Sequence, residues 1–299
     1  MHWNFYIKSY QNYLKLERGL SKNTIANYSF DVERLCAFLD QRNSDVSPIH
    51  ISETQIQEFV YHISKEVNAR SQARIISGLK SFFLFLIVED YRTDTPMDLI
   101  EAPRLGRKLP DTLSVSEIDA LIAAIDLSKE EGHRNKAMLE TLYGCGLRVS
   151  ELVTLKISDL FFEEGFLKVT GKGAKQRFVP ISPFTQKNIL LYKEHSRMRL
   201  PIQKGFEDTL FLNRRGKQLT RAMVFTIIKQ LAVTIGLKKT ISPHTFRHSF
   251  ASHLLENGAD LRAIQMMLGH ESITTTEVYV HLDRSHLAKV IQQHHPRKK

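Results

Sequence analysis

Apolar residues recur at helical spacing from the start of the chain. Tyr6, Tyr10, Tyr13 and Leu14 share one face, Ile25, Tyr28, Val32, Leu35, Cys36 and Leu39 form a second stripe, and Ile56, Phe59, Val60 and Ile63 a third. Ser21, Ser52 and Ser71 each precede a periodic run and are expected to cap its unpaired amides, with Gln55 placed to complete a capping box at Ser52. A fourth predicted helix over 71–89 is apolar on most faces around Phe82-Phe83-Leu84-Phe85-Leu86-Ile87-Val88. That pattern predicts a buried central helix, or one that turns a face to a neighbouring subunit.

Between residues 90 and 110 the periodicity breaks. Pro96, Pro103, Gly106 and Pro110 lie among Arg104, Arg107 and Lys108; proline removes amide donors and fixes the backbone, so this stretch predicts a linker whose three cations suit a phosphate backbone. A second domain opens with the capping box Ser114-x-x-Glu117 and continues into a helix near 134–142 that Gly144 and Gly146 should stop. A short helix from 150 then leaves Arg148 on a glycine-relieved turn, where backbone can approach a phosphate closely.

From 159 to 180 the period changes to that of strands. Segments 161–162, 166–170 and 176–180 predict three short antiparallel strands, with turns at Glu164-Gly165 and at 171–175, where Lys172 sits at the tip. Helices are predicted over 183–199, 220–236, 244–257 and 260–268, with a buried segment at 210–212. Thr274-x-x-Glu277 should cap a short helix carrying Tyr279, and 282–293 forms a last amphipathic helix that could pack in its own domain or in a neighbour. The fold class is therefore mainly α with a small antiparallel sheet. An all-helical domain over 1–90 and a connector over 91–110 precede a mixed domain over 111–299.

Length and composition agree with two cored domains: the chain has 299 residues, 42% of them hydrophobic. Its net charge of +10 is unevenly spread, with 12 basic against 13 acidic residues through Arg104 and 30 against 19 after it. A basic second half suits a polyanionic partner, because Lys and Arg displace the counterions condensed on DNA. Cys36 and Cys145 are too few for a disulfide framework and read as reduced core residues. Met1 to Lys8 lacks the pattern of a secretory leader, and no stretch reads as the ~20 apolar residues of a spanning helix, so a soluble cytoplasmic protein is expected.

The chemistry concentrates near the C-terminus. His244-Thr245-Phe246-Arg247-His248, Leu268-Gly269-His270 and Tyr279 join Arg148 in Gly144-Cys145-Gly146-Leu147-Arg148. Two guanidinium groups can clamp the non-bridging oxygens of a phosphodiester and neutralise charge that grows at phosphorus. A tyrosine, with a reference pKa of about 10, can attack if a positive field or a base assists it, and His270 or His244 could supply either. No metal or cofactor is expected. His244 and His248 are spaced as zinc ligands, but the glutamate of His-Glu-x-x-His is missing and Arg247 lies between them. His248 and His253 read as packed, hydrogen-bonded histidines.

Arg148, Lys172, His244-x-x-Arg247, His270 and Tyr279, with the text Gly171-Lys172-Gly173-Ala174-Lys175-Gln176-Arg177 around the lysine, resemble the signature set of the tyrosine recombinases, the phage-integrase family. The likeness runs over essentially the whole chain and is greatest to the XerC/XerD-type group. It implies an N-terminal core-binding (SAM-like) domain and a catalytic domain that acts on a double-stranded DNA recombination site without cofactor. It also implies Tyr279 as the nucleophile forming a 3′-phosphotyrosyl link, Arg148 and Arg247 as phosphate clamps, and Lys172 as the acid for the leaving 5′-oxygen. His244 would serve in proton transfer, His270 on the phosphate, and Arg104, Arg107, Lys108, Lys175 and Arg177 in DNA contacts. Four protomers, of this chain alone or with a related recombinase, would exchange strands through a Holliday junction, in the setting of dimer resolution at cell division and with an FtsK-type DNA translocase as a further partner. A mobile-element integrase, a type IB topoisomerase and a non-catalytic DNA-binding protein are the alternatives.

Overall fold

The apolar stripes of the first hundred residues close on one another as four helices among the described residues: α1 (Trp3–Leu16), α2 (Lys22–Gln41), α3 (Glu53–Glu66) and α4 (Ala69–Val88). They are seen in a computed structural model that describes residues 3–104, 112–269 and 283–297. Ser21 and Ser52 cap α2 and α3 as the sequence predicts, the latter in a full capping box with Gln55. Ser71 does not cap α4. The Asn68 side chain accepts the Ser71 amide at 2.9 Å, so the helix begins at Ala69 and Ser71 already lies inside it.

In α4, Ile75, Leu79, Phe82, Phe83 and Leu86 are buried, and the Phe82 ring meets Tyr10 edge-on at 5.3 Å. By length and composition this 20-residue helix could cross a membrane, contrary to the expectation that no stretch would; here the apolar length fills a core. Leu84 and Val88 are its exposed apolar residues. Packing of this first unit, Met1–Lys108, continues past the predicted linker start, since Met97 and Ile100 are buried in its core.

The second unit, Leu109–Lys299, has its own core. It comprises α5 (Val115–Ala123), α6 (Gly132–Gly144), α7 (Val149–Thr154), β1 (Leu160–Phe161), β2 (Phe166–Thr170), β3 (Gln176–Pro180), α8 (Pro183–His195), α9 (Arg221–Thr234), α10 (Pro243–Glu256), α11 (Leu261–Leu268) and α12 (Asp283–His294). The three strands pair antiparallel in the order β1-β2-β3, with Leu167 opposite Val179 and Val169 opposite Arg177. From Ala137 to Gly144 α6 is buried throughout and packs on α8 and α10, which makes it the axis of the unit. The helix predicted over 183–199 ends at His195. A 3-10 turn at Arg197–Arg199 follows, and there Arg197 donates to the Thr209 carbonyl at 3.1 and 2.9 Å, binding the chain reversal to the buried segment Leu210–Leu212.

Helix α12 packs on its own unit. Leu287, Val290 and Ile291 are buried in the second core, His294 Nδ1 donates to the Asn257 carbonyl and its own carbonyl accepts from the Asn257 side-chain amide, and Arg297 pairs with Asp119 and with Glu140 at 2.9 Å. His295 is buried against Tyr143 and Phe250, with ring centroids 4.8 and 5.2 Å away, and its Nε2 has no hydrogen-bond partner. Burial, then the charges of Arg297 and His253, push its pKa down to about 3.

A histidine held below its ordinary value is bound neutral in the fold. Its contribution is therefore complete above the unfolded value of 6.5 and is lost as the pH falls toward about 3. Between pH 7 and 5 the protein should lose more unfolding free energy than a His295→Leu variant does, by up to about 1.4 kcal/mol per pH unit. Urea unfolding at the two pH values tests this, and parallel losses in both proteins would remove His295 from the pH dependence.

Candidate active site

One buried carboxylate organises the site. Arg148 occupies the N-cap position of α7, and Glu151, three residues on, turns back to accept its backbone amide at 2.8 Å. The same carboxylate takes Arg148 Nη1 at 2.8 Å and both terminal nitrogens of Arg177 on β3, at 2.8 and 2.9 Å. Arg247 Nη1, from α10, stands 3.9 Å from it. Only 2% of the Glu151 side chain is exposed, so its charge is balanced by guanidinium groups rather than by water.

The same three arginines bind the end of α11. Arg177 Nε donates to the Met267 carbonyl at 2.9 Å, Arg247 Nη2 to that of Leu268, and Arg148 Nη2 to that of Gly269 at 3.1 Å. These are carbonyls that a helix C-terminus leaves without intrahelical donors, at the negative end of its dipole. Gly269 makes the turn possible with φ of 64°, a left-handed conformation that suits glycine, and it brings the chain to the threshold of residue 270.

Arg247 is anchored on its other side by the Gly146 carbonyl at 2.8 Å. Gly146 has φ of 57°, and an added Cβ there would run into the Phe250 ring. The glycine turn thus lets the loop before Arg148 lie against α10, one turn past Arg247. Burial first, then the Arg148 charge, bring the Arg247 guanidinium down to about 10, which leaves it charged at neutral pH. Burial would raise the Glu151 carboxyl, but the hydrogen bond and charge of Arg177, followed by the Arg148 contacts, outweigh it and hold the carboxyl below its ordinary value.

The structure therefore brings together Arg148, Arg247 and Arg177. His244 opens α10 and is exposed. Lys172 begins a 3-10 turn, Lys172–Ala174, at the tip of the β2–β3 hairpin, and Lys175 is exposed after it. His270, Tyr279, Arg107 and Lys108 lie outside the described residues, as does the predicted cap Thr274-x-x-Glu277; Arg104 is described and exposed. His253 is a packed histidine whose Nδ1 lies 2.8 Å from the Tyr143 hydroxyl, whereas His248 is exposed rather than packed. Among the described residues no cluster could hold a metal ion.

Residues 111–286 match the phage integrase family, and residues 7–90 match the phage integrase N-terminal SAM-like domain. The chain belongs to the phage integrase family. Tyrosine recombinase XerD of Staphylococcus aureus is 43% identical to it over 293 residues, 97% of this chain and 98% of the relative. The XerD of Staphylococcus saprophyticus is 42% identical over the same shares. The crystal structure of XerA recombinase, 31% identical, superposes with a TM-score of 0.50 over 98% of this chain and 99% of that one. That of a lambda integrase(75-356) dimer bound to a COC′ core site, 20% identical, shares the fold with a TM-score of 0.73 over 93% of this chain and 100% of that one. This integrase-family chain is a tyrosine-type site-specific recombinase.

At this site, sequence reasoning missed Glu151 and the partners of Arg177. A signal for the first was present: an acid at the third helical position behind Arg148, in the otherwise apolar Val149–Leu155 stretch. Arg177, expected to contact DNA, has only 15% of its side chain exposed and spends three nitrogens on Glu151 and Met267.

Gly146→Ala should destabilise the recombinase by about 1–3 kcal/mol, the usual cost of overpacking a filled core, because its Cβ would enter the Phe250 ring. Chemical denaturation measures it. A loss below a few tenths of a kcal/mol would mean that the loop can shift without cost.

Proposed function

We propose that the protein cuts and rejoins the strands of a double-stranded DNA recombination site, with Tyr279 as nucleophile and Arg148 and Arg247 as the phosphate clamp. The observation that carries this reading is the convergence of the two guanidinium groups on adjacent carbonyls, Leu268 and Gly269, just before the segment that leads to Tyr279. Each group is anchored and Arg247 stays charged at neutral pH, so a phosphodiester meets donors that need little reorganisation.

Attack by the Tyr279 oxygen on phosphorus forms a 3′-phosphotyrosyl bond as the bond to the 5′-oxygen breaks. Lys172, from the hairpin tip, gives its proton to that oxygen. His244 accepts the proton that the Tyr279 hydroxyl gives up, and His270 donates to a non-bridging oxygen. Attack on the phosphotyrosine by the 5′-hydroxyl of another strand reverses the step, releases the tyrosine and conserves the energy of the bond, so neither ATP nor metal is consumed.

Two such exchanges, in a tetramer of this chain or with a related recombinase, pass through a Holliday junction. The 43% identity to XerD over 97% of this chain supports resolution of chromosome or plasmid dimers at cell division as the setting. The cytoplasm as location and an FtsK-type translocase as regulator complete this reading. Residues 1–90 serve as the core-binding domain, residues 91–110 as a basic connector through Arg104, Arg107 and Lys108, and residues 111–299 as the catalytic domain, with Lys175 on the DNA beside Lys172. This division of roles suits the charge distribution, in which the net positive excess lies after Arg104.

With a nicked cognate site in EDTA, the protein should become covalently trapped on the 3′ side of the break, and Tyr279→Phe should abolish trapping while DNA affinity is nearly unchanged. An adduct formed by the phenylalanine variant would assign the nucleophile elsewhere.

The clamp and the acid separate by substrate chemistry. Arg247→Ala should slow cleavage by ~10²–10³, as loss of one transition-state donor does. Lys172→Ala should lose activity too, but a substrate with sulfur in place of the leaving 5′-oxygen needs no strong acid. That substrate should rescue the lysine variant and leave the arginine variant slow; equal behaviour of the two would take Lys172 out of the acid role.

A further inference from the structure

We propose that Arg177 is a positioning residue: it holds Glu151 so that the carboxylate fixes the clamp arginines without drawing them off the phosphate. The inference rests on the reading of Arg148 and Arg247 as the clamp. Arg177 spans both Glu151 oxygens at 2.8 and 2.9 Å and reaches the Met267 carbonyl at 2.9 Å, so its fork is filled by protein acceptors on two sides.

Its neighbours make the contact a junction. Arg177 stands opposite Val169 in the β2–β3 ladder, and at the hairpin's base the Gly171 amide donates to the Lys175 carbonyl at 2.8 Å. A Cβ on Gly171 would lie 3.6 Å from both Arg177 Nη1 and Glu151 Oε1. On the opposite side, a Cβ on Gly269 would lie 3.1 Å from Arg177 Cδ and 3.2 Å from its Nε. The arginine therefore ties the base of the Lys172 hairpin to the N-cap of α7 and to the end of α11.

Charge explains why the tie matters. Glu151 takes Arg148 Nη1 at 2.8 Å and has Arg247 Nη1 at 3.9 Å. With Arg177 in place, the carboxylate is already satisfied in bidentate fashion, and the two clamp arginines keep their charge for a ligand. Without Arg177, a buried and underpaired carboxylate would compete with the phosphate for both of them. Removal of the carboxylate charge should then be a gain.

The test compares Arg177→Gln, Glu151→Gln and the double variant of the full-length protein on one nicked cognate duplex, reading cleavage rate, DNA affinity across a salt series and melting temperature. Arg177→Gln should cleave roughly 10- to 100-fold more slowly, the loss typical of a partner that orients a site's ligands. Its affinity and salt slope should stay at wild-type values, and adding Glu151→Gln should speed it up. A salt slope shallower by about 0.9 in Arg177→Gln would make the residue a phosphate contact instead. A double variant slower than either single would overturn the competition argument.

Should Arg177→Gln fail to fold, Arg177→Lys with and without Glu151→Gln gives the same comparison, since a lysine keeps the charge but cannot span both oxygens. Adduct formation by the wild-type protein on this duplex tests the parent reading separately. Rates relative to wild type judge Arg177.

Discussion

A carboxylate withdrawn from water must be met by donors or it will not stay ionised, and Glu151 is met by three arginines that come from three different elements. None of α7, β3 and α10 could place its arginine alone. Arg148 needs the glycine turn before it, Arg177 the strand register, and Arg247 the buried face of α10. The carboxylate is the point at which these separate local structures become one site, and its depressed pKa expresses the balance of attraction over burial.

The second shared acceptor is the C-terminal end of α11. Three consecutive carbonyls, each bound by a different arginine, convert an unsatisfied helix terminus into a fixed mount. The left-handed Gly269 that ends this mount also begins the route to Tyr279. On the proposed reading, the clamp and the start of the nucleophile's segment are therefore set by the same few atoms, and a displacement of the α11 terminus would disturb both together.

Much of this was legible in the chain. Helical stripes located the elements, Ser52 and Ser114 marked two starts by capping boxes that the structure contains, and the hairpin over 166–180 followed from alternation and its turn residues. The misses share one cause. Asn68 displaced Ser71 as a cap because either residue type can accept the amide, and only the backbone path decides between them. The helix from 183 stops at His195, where Arg197 finds carbonyls ten and twelve residues away. The partners of Arg177 were hidden because Glu151 and Met267 lie 26 and 90 residues distant, and spacing along one strand carries no trace of them.

Charge counting closes the account of the site. Three guanidinium groups and one carboxylate leave an excess of two positive charges, whereas a phosphodiester brings one negative charge and gains more as the nucleophile adds. Without Glu151 three like charges would crowd a buried space, and the Arg247 guanidinium, already lowered by burial and by Arg148, would be the first to suffer. With Glu151 but without Arg177, the excess would fall to one, held by arginines partly engaged elsewhere. On the proposed reading, the pairing of one acid with one dedicated base thus sets the field that a phosphate would meet, leaving two positive charges to face it while the buried guanidinium groups stay balanced.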